Sequence, residues 1–128
     1  MEVSRAAAGL DFCYLTTSGR RSGQKRTIEI WFAAEGPTVY LLSGGREGAH
    51  WVQNIRHDPR VSVKIGRRVY RGNARIVEGG PEDARARRLL AAKYEDWRDG
   101  KRLSGWARTS LPVAIDLEAA DQTPAVPA

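Results

Sequence analysis

The densest chemistry in the chain lies at residues 18–26, Ser-Gly-Arg-Arg-Ser-Gly-Gln-Lys-Arg, where Arg20, Arg21, Lys25 and Arg26 are spaced by Gly19, Ser22 and Gly23. Glycines let backbone N–H groups turn toward an anion, Ser22 adds a hydroxyl donor, and arginine forks match phosphate oxygens two at a time. The chemistry expected of such a loop is capture of a phosphate-bearing ligand. It is not a nucleoside-triphosphate loop, which ends in Gly-Lys-Ser or Gly-Lys-Thr before a helix; this one joins two strand-like stretches. A solvated hairpin has the same composition, so the loop alone leaves both readings open.

A second anion-competent feature is Ser43-Gly44-Gly45, a glycine loop leading into a segment that carries His50, Trp51 and Asn54. Trp51 and Asn54 are three apart and share one helix face, one apolar and one hydrogen-bonding. Trp51 also suits a core position. His50 and His57, with no cysteine pair, make a poor ligand set, and no metal is expected. The single cysteine, Cys13, sits in an apolar stretch and reads as a small buried hydrophobe in a reducing compartment.

The elements that must position these residues follow from the pattern. Strands are predicted over 11–17, 26–34 and 38–43, the last two joined by a turn at Glu35-Gly36-Pro37, so that the chain opens as a meander. A helix over 49–56 ends at Asp58-Pro59. Residues 60–65 alternate as a half-buried strand, and 69–77 pair with them, with Gly72 marking a bulge or a close backbone approach. Pro81 opens a helix over 82–97 whose broad face carries Ala86, Leu89, Leu90, Lys93, Tyr94 and Trp97. A short ordered link over 104–109 precedes a last strand over 111–118. The fold class is mainly β with flanking helices: about six antiparallel strands and two or three helices, closed into a small barrel. One domain, 1–118, with a flexible tail, 119–128, is expected for 128 residues.

The net charge of +6 comes from 21 Lys and Arg against 15 Asp and Glu. The cations gather in loops and turns (20–26, 56–64, 67–75) and not on one recognition helix, which favours a small polyanion over nucleic acid. The lone pairing of Tyr70 with Arg71 falls short of the aromatic interleaving of a single-strand binder. No apolar run approaches the length of a membrane span, and the N-terminus lacks a signal-peptide pattern, so a cytoplasmic protein is expected.

Residues 15–26, Leu-Thr-Thr-Ser-Gly-Arg-Arg-Ser-Gly-Gln-Lys-Arg, resemble the signature of the deazaflavin-dependent nitroreductase family. The likeness continues through Trp31-Phe32, Ser43-Gly44-Gly45, residues 51–55, Asp58-Pro59-Arg60-Val61, Arg108-Thr109 and Leu111-Pro112-Val113, covering about residues 11–118. That family sits in the split β-barrel group with flavin-binding, pyridoxamine-phosphate-oxidase-like proteins. The resemblance implies a reductase that moves a hydride from reduced coenzyme F420, an 8-hydroxy-5-deazaflavin, to a small electrophile: an enone, a quinone or a nitro compound. Its alternatives are an FMN-binding oxidoreductase of the same barrel and a non-catalytic cofactor carrier. The surplus of cations favours F420, whose tail is the more negative.

By resemblance, Arg20, Arg21, Ser22 and Arg26, with Lys25, hold the cofactor's phosphate-bearing tail. Ile28, Ile30 and Trp31 line its ring, and Ser43, Gly44, Gly45, Trp51 and Asn54 complete the pocket. Ser43 and Tyr94, alongside water, are the candidate proton donors. Two departures stand out. Glu29 occupies a position where the family often has proline, and Gly44 or Gly45 stands where it has a lysine, with Arg46 as a stand-in. The family's tyrosine-rich acceptor wall would be represented by Tyr94, Trp97 and Trp106. A homodimer with the cofactor near the subunit interface is a further implication.

Overall fold

The computed structural model describes residues 2–120. Its elements run α1 (Arg5–Ala8), β1 (Cys13–Ser18), β2 (Lys25–Ile30), β3 (Ala33–Glu35), β4 (Thr38–Ser43), a 3-10 turn (Arg46–Gly48), α2 (His50–His57), β5 (Arg60–Ile65), β6 (Arg68–Ile76), α3 (Gly80–Tyr94), α4 (Gly105–Thr109) and β7 (Leu111–Ala120). The strands form one seven-stranded sheet in the order β2-β1-β5-β6-β7-β4-β3, every pair antiparallel.

Alternation explains most of these strands. In β1, Cys13, Leu15 and Thr17 are buried while Tyr14 faces out; in β5, Val61, Val63 and Ile65 are buried. β4 is apolar on both faces for a reason. Val39 and Leu41 point into the barrel with Leu15, Val63, Val113 and Ile115, whereas Tyr40 and Leu42 meet Ala86 and Leu90 of α3. A strand covered on both sides reads as a continuous apolar run. Gly72 is a genuine close approach: a Cβ there would lie 2.7 Å from the Asp116 carbonyl oxygen, beside the register shift between Arg71 and Gly72.

The single strand predicted over 26–34 is in fact two, and this overturns the meander. β2 ends at Ile30 on one edge of the sheet, and β3 begins at Ala33 on the opposite edge. Two residues, Trp31 and Phe32, carry the chain from edge to edge, so the sheet has to curl until its edges approach. Side chains of α3 supply the hydrogen bonds that a strand neighbour would have given Phe32. Its N–H donates to the Tyr94 hydroxyl (3.0 Å) and its carbonyl accepts from Lys93 Nζ (2.9 Å), while its ring is fully buried. Lys93 Nζ also lies 3.7 Å from the centroid of that ring. A split barrel of seven strands results, as against the six or so expected, the extra strand coming from the division of 26–34 into β2 and β3.

Smaller differences have local causes. The helix predicted to reach Trp97 stops at Tyr94, and Trp97 instead donates from its indole N–H to the Lys101 carbonyl (2.8 Å). The link over 104–109 is a helix, α4, whose Ser104 hydroxyl caps the Ala107 N–H (3.1 Å). Its far end is tied down by Arg87, which donates to the carbonyls of Ala107, Arg108 and Ser110 at 2.9, 2.9 and 2.8 Å. The tail expected at 119–128 begins inside β7, and residues 121–128 lie outside the described residues. No helix among the described residues is long and apolar enough to cross a membrane.

Candidate functional site

The basic loop is the turn of the β1–β2 hairpin, whose last strand pair is Ser18 with Lys25. It is organised from within. The Gly19 N–H donates to the Gln24 carbonyl, the Gly23 N–H to the Gly19 carbonyl (both 2.8 Å), and the Gln24 N–H to Ser22 Oγ (3.1 Å). Gly23 takes φ +75°, a conformation that glycine adopts without strain. The topology then sets a helix beside this turn. β5 pairs antiparallel with β1, Thr16 opposite Ser62, so the start of β5 lies at the end of β1. α2 leads directly into β5, which brings its last turns to the basic loop.

Between loop and helix is a cavity of about 450 Å³ lined by Thr17, Gly19, Arg20, Arg21, Ser22, Arg26, Ile28, His50, Trp51 and Asn54. Its two halves differ. Arg20, Arg21, Arg26 and Ser22 form a cationic, hydrogen-bonding side, while Ile28 and Trp51, both packed on the barrel core, form an apolar one. No Asp or Glu lines it, and among the described residues none of these three arginines pairs with a carboxylate. Arg46, Arg60, Arg75, Arg85 and Arg87, by contrast, are each bound to one. An uncompensated cationic wall facing an apolar wall fits a ligand with a phosphate at one end and a flat ring at the other.

Asn54 is the joint between loop and helix. Its Oδ1 accepts from the Arg20 N–H (3.2 Å) and from Arg20 Nη1 (3.0 Å), and its Nδ2 donates to Thr17 Oγ1 (3.1 Å). Arg20 Nη2 reaches His50 Nδ1 at 3.3 Å. Thr17 and Asn54 are both buried.

Other residues singled out from sequence lie elsewhere. Lys25 is on the opposite face of β2 from Arg26 and Ile28; its Nζ donates to Ser18 Oγ (3.2 Å), and it lines a separate hollow with Asp58, Arg60 and Arg71. Ile30 shares the Ile28 face of β2 and is half-buried, outside the cavity lining. Trp31 stacks on Tyr94, centroids 4.3 Å apart and planes within 2°, and meets Trp106 edge-on at 5.4 Å. Gly44 abuts Trp106, and Gly45 precedes the 3-10 turn. Ser43 is buried, its hydroxyl donating to the Arg46 carbonyl (3.0 Å).

Arg46 is bound to Glu78 and to the Thr109 carbonyl, away from the cavity. The Tyr94 hydroxyl accepts from the Phe32 N–H and lies 2.7 Å from the Asp11 carbonyl, to which it donates; burial pushes its pKa up to about 12. Neither Ser43 nor Tyr94 lines the cavity.

Of the remaining lining residues, Gly19 enters from sequence only as a spacer of the basic loop, His50 only as a member of the segment after the glycine loop, and Thr17 not at all. Thr17 carried a usable signal, as the polar member of the inward set Cys13, Leu15, Thr17. The Arg20–Asn54 contact spans 34 positions, and no local pattern encodes it.

The family model for F420H(2)-dependent quinone reductases matches residues 1–118. The chain belongs to that family. Membership assigns F420 as the redox cofactor and reduction as the reaction, as the resemblance of residues 15–26 implied. Among solved structures, an F420-H2-dependent reductase is 28% identical, with TM-score 0.62, over 84% of this chain and 94% of the other. A Listeria innocua protein with a provisional pyridoxamine 5'-phosphate oxidase assignment is 18% identical, TM-score 0.67, over 89% of each chain. A conserved hypothetical protein of Mycobacterium tuberculosis is 20% identical, TM-score 0.74, over 92% of this chain and 82% of the other. The split barrel is common to them.

Proposed function

We propose that the cavity between the basic loop and α2 holds F420 and that the enzyme uses it to reduce a small quinone-type acceptor. The observation that carries this reading is the set of three arginines, unpaired with carboxylates among the described residues, facing Ile28 and Trp51 across one cavity. Arg20, Arg21, Ser22 and Arg26 would take the phosphate end, and Ile28 and Trp51 the ring. Lys25 adds to the local field from the far side of β2 without contact.

Reduced F420, when bound, supplies the hydride. The chain's part is to hold, orient and shield. Arginine forks fix the anionic end, and the apolar wall excludes water from the reacting face. The Trp31–Tyr94–Trp106 cluster beside Gly44 offers a flat aromatic surface against which a planar acceptor can stack. Because the Ser43 and Tyr94 hydroxyls already donate to carbonyls, water is the proton donor in this proposal. A cytoplasmic setting and a homodimer complete it, the first supported by the free thiol of Cys13. The second has support in a solved domain-swapped dimer that is 26% identical over 84% of this chain.

The test is a fluorescence titration of the purified protein with oxidised F420 and, separately, FMN, followed by turnover of F420H2 with menadione and with a nitroaromatic. Saturable F420 binding and faster turnover with the quinone are expected. Tight FMN binding without any F420 response would overturn the cofactor assignment.

A further inference from the structure

We propose that Asn54 is a positioning residue that acts on the cofactor through Arg20, holding its guanidinium in the binding orientation before the cofactor arrives; this rests on the F420 reading above.

The hydrogen-bond count makes the case. An amide oxygen has two lone pairs, and both on Asn54 Oδ1 are used by Arg20, one by its backbone N–H and one by Nη1. One amide N–H is spent on Thr17 Oγ1, itself buried. Asn54 therefore has no acceptor left for the cofactor and at most one N–H. Arg20 is the reverse. Of its five side-chain N–H groups, one goes to Asn54 and one to His50 Nδ1, leaving three for phosphate oxygens. Thr17 on β1 and Asn54 and His50 on α2 thus lock a side chain that would otherwise sample many rotamers.

The identity of residue 54 matters as much as its place. A carboxylate there would hold Arg20 more strongly but would neutralise the charge meant for the phosphate. An amide fixes the guanidinium and leaves its charge available. Ordering a free arginine on binding corresponds to roughly two- to tenfold in affinity, which is the effect expected when the lock is removed.

A double-mutant cycle tests this, with F420 dissociation constants from fluorescence titration and KM and kcat from F420H2 turnover with menadione. Asn54→Ala should weaken F420 binding roughly two- to tenfold and raise KM proportionally more than it lowers kcat. In an Arg20→Ala background the same change should add less than about twofold, because the guanidinium it orients is gone and only the backbone N–H of residue 20 still meets Asn54. Thr17→Val, which removes the acceptor of the Asn54 amide while keeping side-chain shape, should weaken binding in the same direction and only when Arg20 is present. It serves as the test if Asn54→Ala fails to fold. Equal effects with and without the Arg20 side chain would show that Asn54 does not act through the guanidinium and would overturn the proposal. Absence of F420 binding by the wild-type protein is a different result, since it overturns the cofactor reading and the positioning role together.

Discussion

Arg21→Ala combined with Arg26→Ala separates a cofactor clamp from a charged hairpin. Both side chains line the cavity, both residues are exposed, and neither pairs with a carboxylate among the described residues. Truncation therefore leaves no buried acceptor behind, and surface changes of this kind stay within about 0.5 kcal/mol of stability. A hydrogen bond to a charged group is worth about 1.5–3 kcal/mol, and solvent screening at an open loop reduces that to about 1–1.5 kcal/mol per arginine. The pair then contributes about 2–3 kcal/mol, or roughly 30- to 150-fold in the F420 dissociation constant. The assay is a fluorescence titration at low and moderate ionic strength, run beside a thermal melt. The wild type should lose affinity as salt rises, and the double variant should lose less, having fewer charges to screen. Unchanged affinity, or a variant that fails to fold, would refute the argument and return the loop to a purely structural role.

Other predictions probe the supports of the site. Tyr94→Phe leaves the Phe32 N–H without its partner, at a cost of about 1–3 kcal/mol; thermal melts should show the loss while kcat with menadione is retained, and a kcat collapse at unchanged stability would instead make Tyr94 a proton donor. Gly72→Ala places a methyl 2.7 Å from the Asp116 carbonyl oxygen, where backbone and not a flexible side chain must yield; a stability loss of about 1–3 kcal/mol, read as a lower urea midpoint, is expected, and an unchanged midpoint would contradict the close approach. The third concerns acid stability. Arg75 holds the carboxyls of Glu82 and Asp116 below their ordinary range, chiefly by hydrogen bonding. Groups depressed in the folded state contribute stability above their unfolded pKa, near 4, and lose it as pH falls through the folded values. Urea midpoints measured from pH 6 to pH 2.5 should therefore fall less steeply for Arg75→Gln than for the wild type, and parallel curves would show that the pairing has no role.

What the sequence made legible, and what it hid, divides by the range of the interactions involved. The hairpin turn carrying Arg20, Arg21, Ser22 and Arg26 was readable because its glycines, cations and flanking strands are all local. Gly72 was readable because a glycine inside an alternating strand has few other uses. The break at Trp31-Phe32 was not. Residues 26–34 have unbroken strand composition, and what ends β2 is a set of hydrogen bonds from Lys93 and Tyr94, some 60 positions away. The site depends on a second long-range feature, since β1 has β2 on one side and β5 on the other. α2 runs straight into β5, so its face is delivered to the end of β1 and Asn54 comes within reach of Arg20. The loop composition thus announces an anion, but the apolar wall opposite it, and with it a ring-bearing ligand, comes from the topology.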